Sequence, residues 1–476
     1  MAKVLFLQRD GYECFGAMYL SAALKARGHT TAVLIQTEEG RDFLAQVDQA
    51  QPDIVAFSVM SGLHEWTAAT AQLVKERIKV PVVAGGPHCT FFPEFVEEPG
   101  LDAICRGEAE DAFPDFVDAL AAGGDGSEVL GFWVKTDTGL VKNDLYPLRE
   151  NLDSLPKPDR HLYSTRYPQL SLAAGAEILA ARGCPFNCTF CYNKLLRTLY
   201  KGKGPYIRRH SHARLLEEIE ELRRVRKGRL HYIAFVDDLF IQDRPWLEEF
   251  LARYRKEVHL PFMCGLRANL VDEDLIALLA QAGCRMVSFG VESGDAALRN
   301  DTLGKKISDA QIETTARLLE RYDIRFSTFN MFNLPGENLE KARKTLRLNQ
   351  GLGPMNYPWS GLLQPYRGTE VFDQAMCMGL INQEETGAHL FHSPTIRQPD
   401  TEALSRFNAY FYWMSRYPRS EKPLMLLMGL RIPVLDSISS ILISFHRYVC
   451  LYWPFEGWRV VLVAAKAGLK RIKSYL

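Results

Sequence analysis

The sequence carries no excess of charge of either sign. Its 476 residues include 57 Lys and Arg and 57 Asp and Glu, so the formal net charge is zero. Proteins that bind nucleic acid through its phosphates usually carry a basic surplus, so we expect no nucleic-acid partner. Hydrophobic residues make up 47% of the chain and charged residues 24%, which excludes a disordered or fibrous protein.

Long apolar runs are also missing. The run at the start, Val4–Leu7, ends before Arg9 and is too short for the core of a signal peptide. No uncharged apolar stretch reaches the roughly 18 residues of a membrane-spanning helix. The ten cysteines are scattered and do not resemble a secreted disulfide framework. These absences predict a cytoplasmic protein whose cysteines are thiols or metal ligands.

Residues 1–150 alternate short apolar runs with helical patterns, which predicts an α/β domain with a Rossmann-like parallel sheet. Ligands of such sheets bind beyond the carboxyl ends of the strands. The predicted strand ends carry mainly small residues, which would let a flat ligand approach the backbone: Ser58, Ser61, Gly62, Gly85, Gly86, Gly107 and Glu108. The alternative is that the glycines only make tight turns. Two prolines near 155–159 indicate that residues 151–170 form a linker.

Three cysteines in the middle of the chain predict an iron–sulfur site. Cys184, Cys188 and Cys191 have C-x3-C-x2-C spacing, which can bind three corners of a 4Fe–4S cubane and leave one iron open. A structural zinc site or an ordinary ferredoxin cluster uses four protein ligands. A zinc knuckle is the alternative, with Cys264 or Cys284 as a fourth ligand. Both lie in apolar runs, where a buried thiol is the expected role.

After the cysteine loop, residues 171–380 repeat a strand followed by a helix about six times. This pattern predicts a partial (β/α)6 barrel of the TIM type, whose active site lies at the carboxyl ends of its strands. Polar side chains follow four of the predicted strands: Asp237, Arg267, Glu292 and Gln364. The remaining residues, 381–476, are predicted to form a mostly helical C-terminal region.

Several segments together resemble a known family. The cysteine loop has Phe190 before its last cysteine and Tyr192 after it, and it resembles the cluster motif of the radical S-adenosylmethionine (SAM) superfamily. Further matching segments lie at 85–88, 106–110, 235–240, 290–294, 334–337 and 364–369. Their order is similar to that of a branch with an N-terminal cobalamin-binding domain. That branch includes the class B methyltransferases and the anaerobic magnesium-protoporphyrin ester cyclases.

The resemblance implies three cofactors. The three cysteines would hold a 4Fe–4S cluster whose open iron binds SAM, and residues at the strand ends would contact SAM: Phe190, Asp237, Arg267, Glu292 and Gln364. Cobalamin would bind the small residues of the first domain, with Gly107 and Glu108 near the corrin. The Asp-x-His-x-x-Gly motif that supplies a cobalt ligand elsewhere is absent from the sequence. His64 and His88 are the alternative ligands, although turn or packing roles are expected for both.

The resemblance also implies an activity. Most similar members are methyltransferases in which a 5′-deoxyadenosyl radical removes hydrogen from an unactivated carbon, which then takes a methyl group from methylcobalamin. The alternatives are a radical cyclase or ring-rearranging enzyme without methyl transfer and, in another class, an iron–sulfur electron carrier. We expect a small-molecule substrate and an external electron donor of the flavodoxin or ferredoxin type.

The end of the chain indicates the substrate class. From Gly457 to Leu476 the sequence has five basic residues and no acidic residue. On a helix most of them would share one face, with Trp458 and Tyr475 near its ends. A basic amphipathic helix of this kind suits an anionic membrane surface, which predicts peripheral contact with the inner membrane face and a lipid-like substrate. The alternative is a helix that packs on the barrel.

Overall fold

The computed structural model describes residues 1–170, 174–381, 395–430, 432–457 and 461. Its first domain is a seven-stranded sheet in the order β2-β1-β3-β4-β5-β6-β7. The strands are β1 (Lys3–Gln8), β2 (Thr30–Ile35), β3 (Ile54–Ser58), β4 (Val82–Gly85), β5 (Ala103–Cys105), β6 (Phe132–Thr136) and β7 (Gly139–Lys142). The first five are parallel, and β6 and β7 form an antiparallel hairpin.

Helices cover both faces of this sheet, as the alternating pattern predicts. They are α1 (Phe15–Ala26), α2 (Gln36–Glu39), α3 (Phe43–Ala50), α4 (His64–Arg77), α5 (Pro87–Phe91) and α6 (Ala112–Ala121). Two apolar clusters fill the space between sheet and helices, one on each face. This arrangement is the predicted Rossmann-like layer structure. The linker that follows contains a 3₁₀ turn at Leu152–Ser154 and one short α-helix, α7 (His161–Ser164).

The second domain is a partial barrel of six parallel strands in the order β15-β14-β13-β12-β11-β8. These strands are β8 (Gly175–Ile178), β11 (Tyr232–Phe235), β12 (Phe262–Leu266), β13 (Cys284–Glu292), β14 (Arg325–Phe332) and β15 (Trp359–Leu362). A small antiparallel ribbon, β9 (Ala181–Arg182) and β10 (Arg208–Arg209), flanks the cysteine loop. The partial barrel predicted from the sequence is therefore confirmed.

The barrel helices begin where the sequence places polar caps. They are α8 (Tyr192–Leu199), α9 (His212–Arg226), α10 (Arg244–Glu257), α11 (Glu273–Gln281), α12 (Asp309–Arg321), α13 (Leu339–Gly351) and α14 (Glu370–Cys377). Helices α9 to α13 each follow a Ser, Asp or Asn whose side chain accepts a backbone N–H of the first turn. Such caps fix where each helix begins, and hence the length of the loop before it.

The described part of the C-terminal region is mostly helical, as predicted. It comprises α15 (Thr401–Arg416), α16 (Glu421–Gly429) and α17 (Pro433–Glu456). Helix α15 packs on the barrel, where Phe332 contacts Phe407 and Phe411 edge to face. None of the described helices is both long enough and apolar enough to cross a bilayer. The predicted basic helix lies almost wholly outside the described residues.

Candidate active site

A cavity of about 220 Å³ opens at the carboxyl ends of β3, β4 and β5. Five of the predicted cofactor residues line it: Ser58, Gly85, Gly86, Gly107 and Glu108. The rest of its wall is mainly apolar, including Phe6 and Phe113. Cavities for a drug-sized ligand are usually about 300–1,000 Å³. This one therefore fits a flat apolar end group of a larger ligand, such as the benzimidazole tail of cobalamin.

The other two residues predicted for this crevice, Ser61 and Gly62, face a histidine stack instead. The Ser61 Oγ lies 3.1 Å from His88 Nδ1, and the Gly62 N–H donates to His64 Nδ1. The His88 ring is buried between His64 and Phe92, with ring centroids 4.4 and 4.8 Å away. Burial, and to a lesser extent His64, lower the pKa of His88 to about 3. His88 is thus a neutral packing residue.

A second cavity, of about 350 Å³, lies between the two domains. It shares Gly86, Gly107 and Glu108 with the first cavity, so the two adjoin. Its other wall belongs to the barrel domain and includes Tyr192 and Tyr206. A ligand with its tail in the first cavity would therefore place its larger part against the cysteine loop. This fits the shape of cobalamin.

A partly buried ion network joins the domains beside this cavity. Arg182 donates to Glu108 over 2.9 Å and to Glu110 over 2.6 Å, and Arg208 also donates to Glu108. Burial would raise the pKa of Glu108, but the two guanidinium groups outweigh it and hold that pKa below its usual range. The Glu108 carboxylate is therefore paired with these two arginines. Neither Arg182 nor Arg208 was predicted as a site residue, although Arg182 directly precedes the Gly-Cys pair of the cluster loop.

The glycine at 107 is required by a tyrosine of the barrel domain. Its φ is +78°, and a Cβ there would lie 1.9 Å from the Tyr200 hydroxyl oxygen. That hydroxyl accepts the Glu108 N–H over 2.6 Å. A tight turn and a close interdomain approach thus coincide at Gly107.

The three predicted cluster cysteines follow β9 and end at the start of α8. All three are free thiols, with Cys188 buried and Cys184 and Cys191 partly buried. Thr189 holds the loop down: its N–H and its hydroxyl donate to the carbonyls of Leu303 and Thr302. No three His, Cys, Asp or Glu side chains of the described residues converge as ligands of a single ion. A cubane takes each thiolate on a different iron, so three soft thiols spread along one loop fit a cluster.

The other candidate ligands, Cys264 and Cys284, are fully buried. Both belong to the apolar core between the barrel strands and helices. The hydrogen bond with Cys284 and burial in this core raise the pKa of the Cys264 thiol. The predicted role of these two thiols as core residues is confirmed.

Arg267 points at the cluster loop. Its Nη1 donates to Cys188 Sγ over 3.4 Å, and its Nη2 donates to the Lys305 carbonyl. The guanidinium also lies over the Phe186 ring, 3.9 Å from the centroid. Arg267 was predicted to contact SAM, and this stays a prediction; the contact found in the structure is a charged hydrogen bond to a cluster cysteine.

Glu292 ends β13 in a left-handed conformation, with φ of +65°. It is buried and forms an ion pair with buried Lys305. A Cβ at Gly290 would lie 1.9 Å from the Glu292 Oε1 and 2.2 Å from the Lys305 Nζ, so a larger residue there would displace the pair. A strained carboxylate held beside the cysteine loop is the kind of group that a site keeps for a ligand. Lys305 was not among the site residues predicted from the sequence.

Asp237 supports the entry to the cluster loop. Its Oδ1 accepts the Ala181 N–H, while its buried Oδ2 has no hydrogen-bond partner among the described residues. Burial raises the pKa of Asp237 to about 7. Its neighbour Asp238 instead accepts a hydrogen bond from Asn193, close to Cys191.

The two remaining predicted residues have packing or loop contacts. Phe190 packs against the apolar cluster around Leu303 and Leu363. Gln364 accepts a hydrogen bond from the Thr395 hydroxyl. An aromatic stack covers the cysteine loop nearby: the Tyr192 ring lies 3.8 Å from Phe91 of the first domain and 4.5 Å from Tyr366. This stack joins both domains at the cluster loop.

Two family models match these two domains. The B12 binding domain matches residues 12–117, and the radical SAM superfamily matches residues 178–348. This chain is a radical SAM enzyme with a B12-binding domain. Its cofactors are accordingly a 4Fe–4S cluster, SAM and cobalamin, as predicted.

Relatives with assigned names include methyltransferases. The chain is 28% identical to an uncharacterized methyltransferase of Pyrococcus horikoshii, over 71% of this chain and 73% of that protein. It is 26% identical to the anaerobic magnesium-protoporphyrin IX monomethyl ester cyclase of Rubrivivax gelatinosus, over 75% and 65%. It is 28% identical to the hopanoid C-3 methylase of Methylococcus capsulatus, over 60% and 54%. The chain thus spans less than two thirds of the latter two relatives.

A solved structure has the same fold. The cobalamin-dependent SAM radical enzyme OxsB, with aqua-cobalamin bound, superposes with a TM-score of 0.69 at 17% identity. The match covers 100% of this chain and 81% of that one. The arrangement of two domains and a helical C-terminal region is therefore that of a known cobalamin-dependent enzyme.

Proposed function

We propose that this enzyme transfers a methyl group from cobalamin to an unactivated carbon of an apolar, lipid-like small molecule bound inside the partial barrel. We infer the substrate class from a set of large apolar side chains that face the barrel lumen and are exposed there. Val236, Phe329 and Trp359 are 42%, 40% and 42% exposed. Most other large apolar side chains of the barrel strands are buried.

The register of the strands places these side chains on the lumen face. Phe326 belongs to the core beneath the helices, so Phe329, three residues on, faces the opposite way. Phe329 pairs with Gly290 on one side and with Trp359 on the other, and paired residues share a face. The two rings meet edge to face, with centroids 5.9 Å apart.

Small residues keep space open in front of this wall. Gly265 pairs with Ser288, and Ser288 pairs with Ser327, all on the lumen face of the neighbouring strands. The lumen floor is closed by helix α17, whose Leu451 and Phe455 pack against Tyr232 and Met286. An apolar wall and a closed floor favour a hydrophobic substrate that enters from the strand ends.

The residues of the chain would divide the work as follows. When bound, the cluster and SAM supply a carbon-centred radical that abstracts hydrogen, and cobalamin supplies the methyl group. Cys184, Cys188 and Cys191 hold the cluster, and Arg267 donates a hydrogen bond to its sulfur ligand. Glu292, positioned by Lys305, offers an acceptor for the SAM ammonium or ribose. The stack formed by Phe91, Tyr192 and Tyr366 excludes water above the cysteine loop.

The relatives support this proposal in different degrees. A hopanoid methylase among them is named for a polycyclic lipid, which agrees with the apolar lumen. The cyclase relative keeps ring formation as the second candidate, since it would use the same cofactors. An electron carrier would leave both the lumen and the B12-binding cavity without a purpose.

The test uses anaerobically purified protein reconstituted with iron, sulfide and hydroxocobalamin, then supplied with dithionite, methyl-labelled SAM and bacterial lipid extract. Labelled methyl in a lipid, together with 5′-deoxyadenosine and S-adenosylhomocysteine, is the expected result. Turnover that modifies a lipid without incorporating label would favour cyclisation. Cys188→Ser should lose the cluster absorbance, whereas Cys377→Ser, an exposed thiol far along the chain, should keep it.

We also propose that the enzyme works in the cytoplasm with an external flavodoxin- or ferredoxin-type electron donor. All ten cysteines are free thiols, which agrees with a reducing compartment. The test replaces dithionite with reduced flavodoxin or ferredoxin. Formation of 5′-deoxyadenosine with either carrier, and none with NADPH alone, is expected.

A further inference from the structure

Helices α16 and α17 present an unusual amount of uncovered apolar side chain. Seven of the twenty exposed large hydrophobic residues in the described chain lie between 426 and 453. We call them the apolar surface: Leu426, Leu430, Ile432, Ile438, Leu442, Phe445 and Trp453. Their exposed fractions run from 37% to 74%. Single exposed apolar residues are ordinary, but a concentration such as this marks an interaction site.

Four of the seven residues lie on one side of α17 rather than at scattered positions. At 100° per residue, Ile438, Leu442, Phe445 and Trp453 fall within about 80° of arc. Other residues of the helix contact the rest of the protein: Ser439 donates to the Ala409 carbonyl of α15, and Leu451 and Phe455 form the barrel floor. Helix α17 is therefore anchored by one face and presents an apolar stripe on the other.

The sequence of this region carries an excess of positive charge. Between residues 416 and 476 the sequence has ten Lys or Arg and three Asp or Glu, although the whole chain is neutral. Arg419 and Lys422 are exposed at the start of α16. A second copy of the chain would bring the same positive charge to the interface and would be repelled. An anionic lipid surface complements both the charge and the apolar stripe.

We propose that the apolar surface docks on an anionic bilayer, with α17 lying in the membrane interface. The opposite face of the same helix closes the lumen proposed for the substrate. Docking would thus bring the substrate-binding domain to the membrane in which an apolar substrate is dissolved.

The test is co-sedimentation of full-length reconstituted enzyme with phosphatidylcholine vesicles that contain or lack phosphatidylglycerol. Wild type should bind the anionic vesicles, and added salt should weaken this binding. The double variant Leu426→Asn/Leu442→Asn should partition at least about tenfold more weakly, because two leucines no longer enter the lipid. The matched control Leu73→Asn/Leu130→Asn changes two leucines that are 45% and 42% exposed on the first domain. It should bind as wild type does.

Three results would overturn the proposal. They are equal binding by wild type and the Leu426/Leu442 variant, absence of wild-type binding to either vesicle, and a dimer in light scattering that the variant disrupts while neither protein binds vesicles. Circular dichroism and cluster absorbance establish that the variant is folded. Because binding is measured without turnover, its failure would leave the methyl-transfer proposal standing.

Discussion

Removing the charge of Arg267 should make the cluster harder to reduce. Its guanidinium donates to Cys188 Sγ over 3.4 Å, and both residues are buried. A unit charge pair at that separation and an effective dielectric of about 20 interacts by about 5 kcal/mol. The electron added on reduction spreads over the whole cluster, so we expect only about 1–2 kcal/mol of this interaction energy to contribute to the free energy of reduction. For a one-electron couple that is about 40–80 mV.

The assay is an EPR-monitored redox titration of reconstituted Arg267→Gln, with iron content measured in the same samples. Glutamine keeps a hydrogen-bond donor and loses the charge, so its potential should fall by about 40–80 mV. Arg267→Lys keeps the charge and should fall by less than half as much. A potential for the Gln variant equal to that of wild type, at equal iron content, would refute the electrostatic role. Loss of the cluster from both variants would show that Arg267 chiefly holds the loop.

Three further predictions concern the interdomain network, the tail cavity and a buried acid. Arg182→Ala removes the ion pairs of Arg182 with Glu108 and Glu110, which are partly buried, so the free energy of unfolding in urea should fall by about 1–3 kcal/mol, between the values for exposed and fully buried pairs. The control variant Arg253→Ala, at an exposed ion pair, should change it little. Gly85→Leu should fill the first cavity and abolish cobalamin retention in gel filtration with iron content unchanged, while Gly85→Ala, whose Cβ meets Cys105 at an ordinary 3.6 Å, should retain cobalamin. Burial raises the pKa of Asp237 to about 7 in the folded protein, against 3.8 for the free group, so between these pH values the native state binds a proton that the unfolded chain has lost. Stability should therefore fall as pH rises from about 4 to 7. Asp237→Asn should flatten this fall in melting temperature, and a pH profile parallel to that of wild type would contradict the prediction.

Local patterns were enough to predict the layer order and the cluster. The β-branched run at 30–35 predicts a strand, and β2 has these bounds because the polar residues His29 and Gln36 flank the run. The three cysteines are recognisable because their ligand spacing lies within eight residues. The apolar run at 286–290 also predicts a strand, but β13 is longer, since Cys284 and Glu292 extend it beyond that run.

Long-range partners were not predictable in the same way. Arg182 meets Glu108 across 74 residues of sequence, and no local periodicity encodes that distance. Ser61 and Gly62 share the composition of the cavity glycines, yet the turn before α4 directs them to the histidines. The direction of Arg267 likewise depends on Phe186 and Lys305, which come from two other loops.

The proposed lumen and the apolar surface are related through α17. A barrel of six strands leaves a gap that eight strands would close, and the C-terminal helices supply the missing wall and floor. Leu451 and Phe455 of α17 complete the floor, so this helix must lie against the barrel and therefore also has an outer face. That outer face is apolar, although exposure to solvent would favour polar residues there. An outer face that served only to cover the barrel would carry charged side chains at Ile438, Leu442 and Phe445. Their apolar character is therefore better explained by a binding surface than by the packing of the floor.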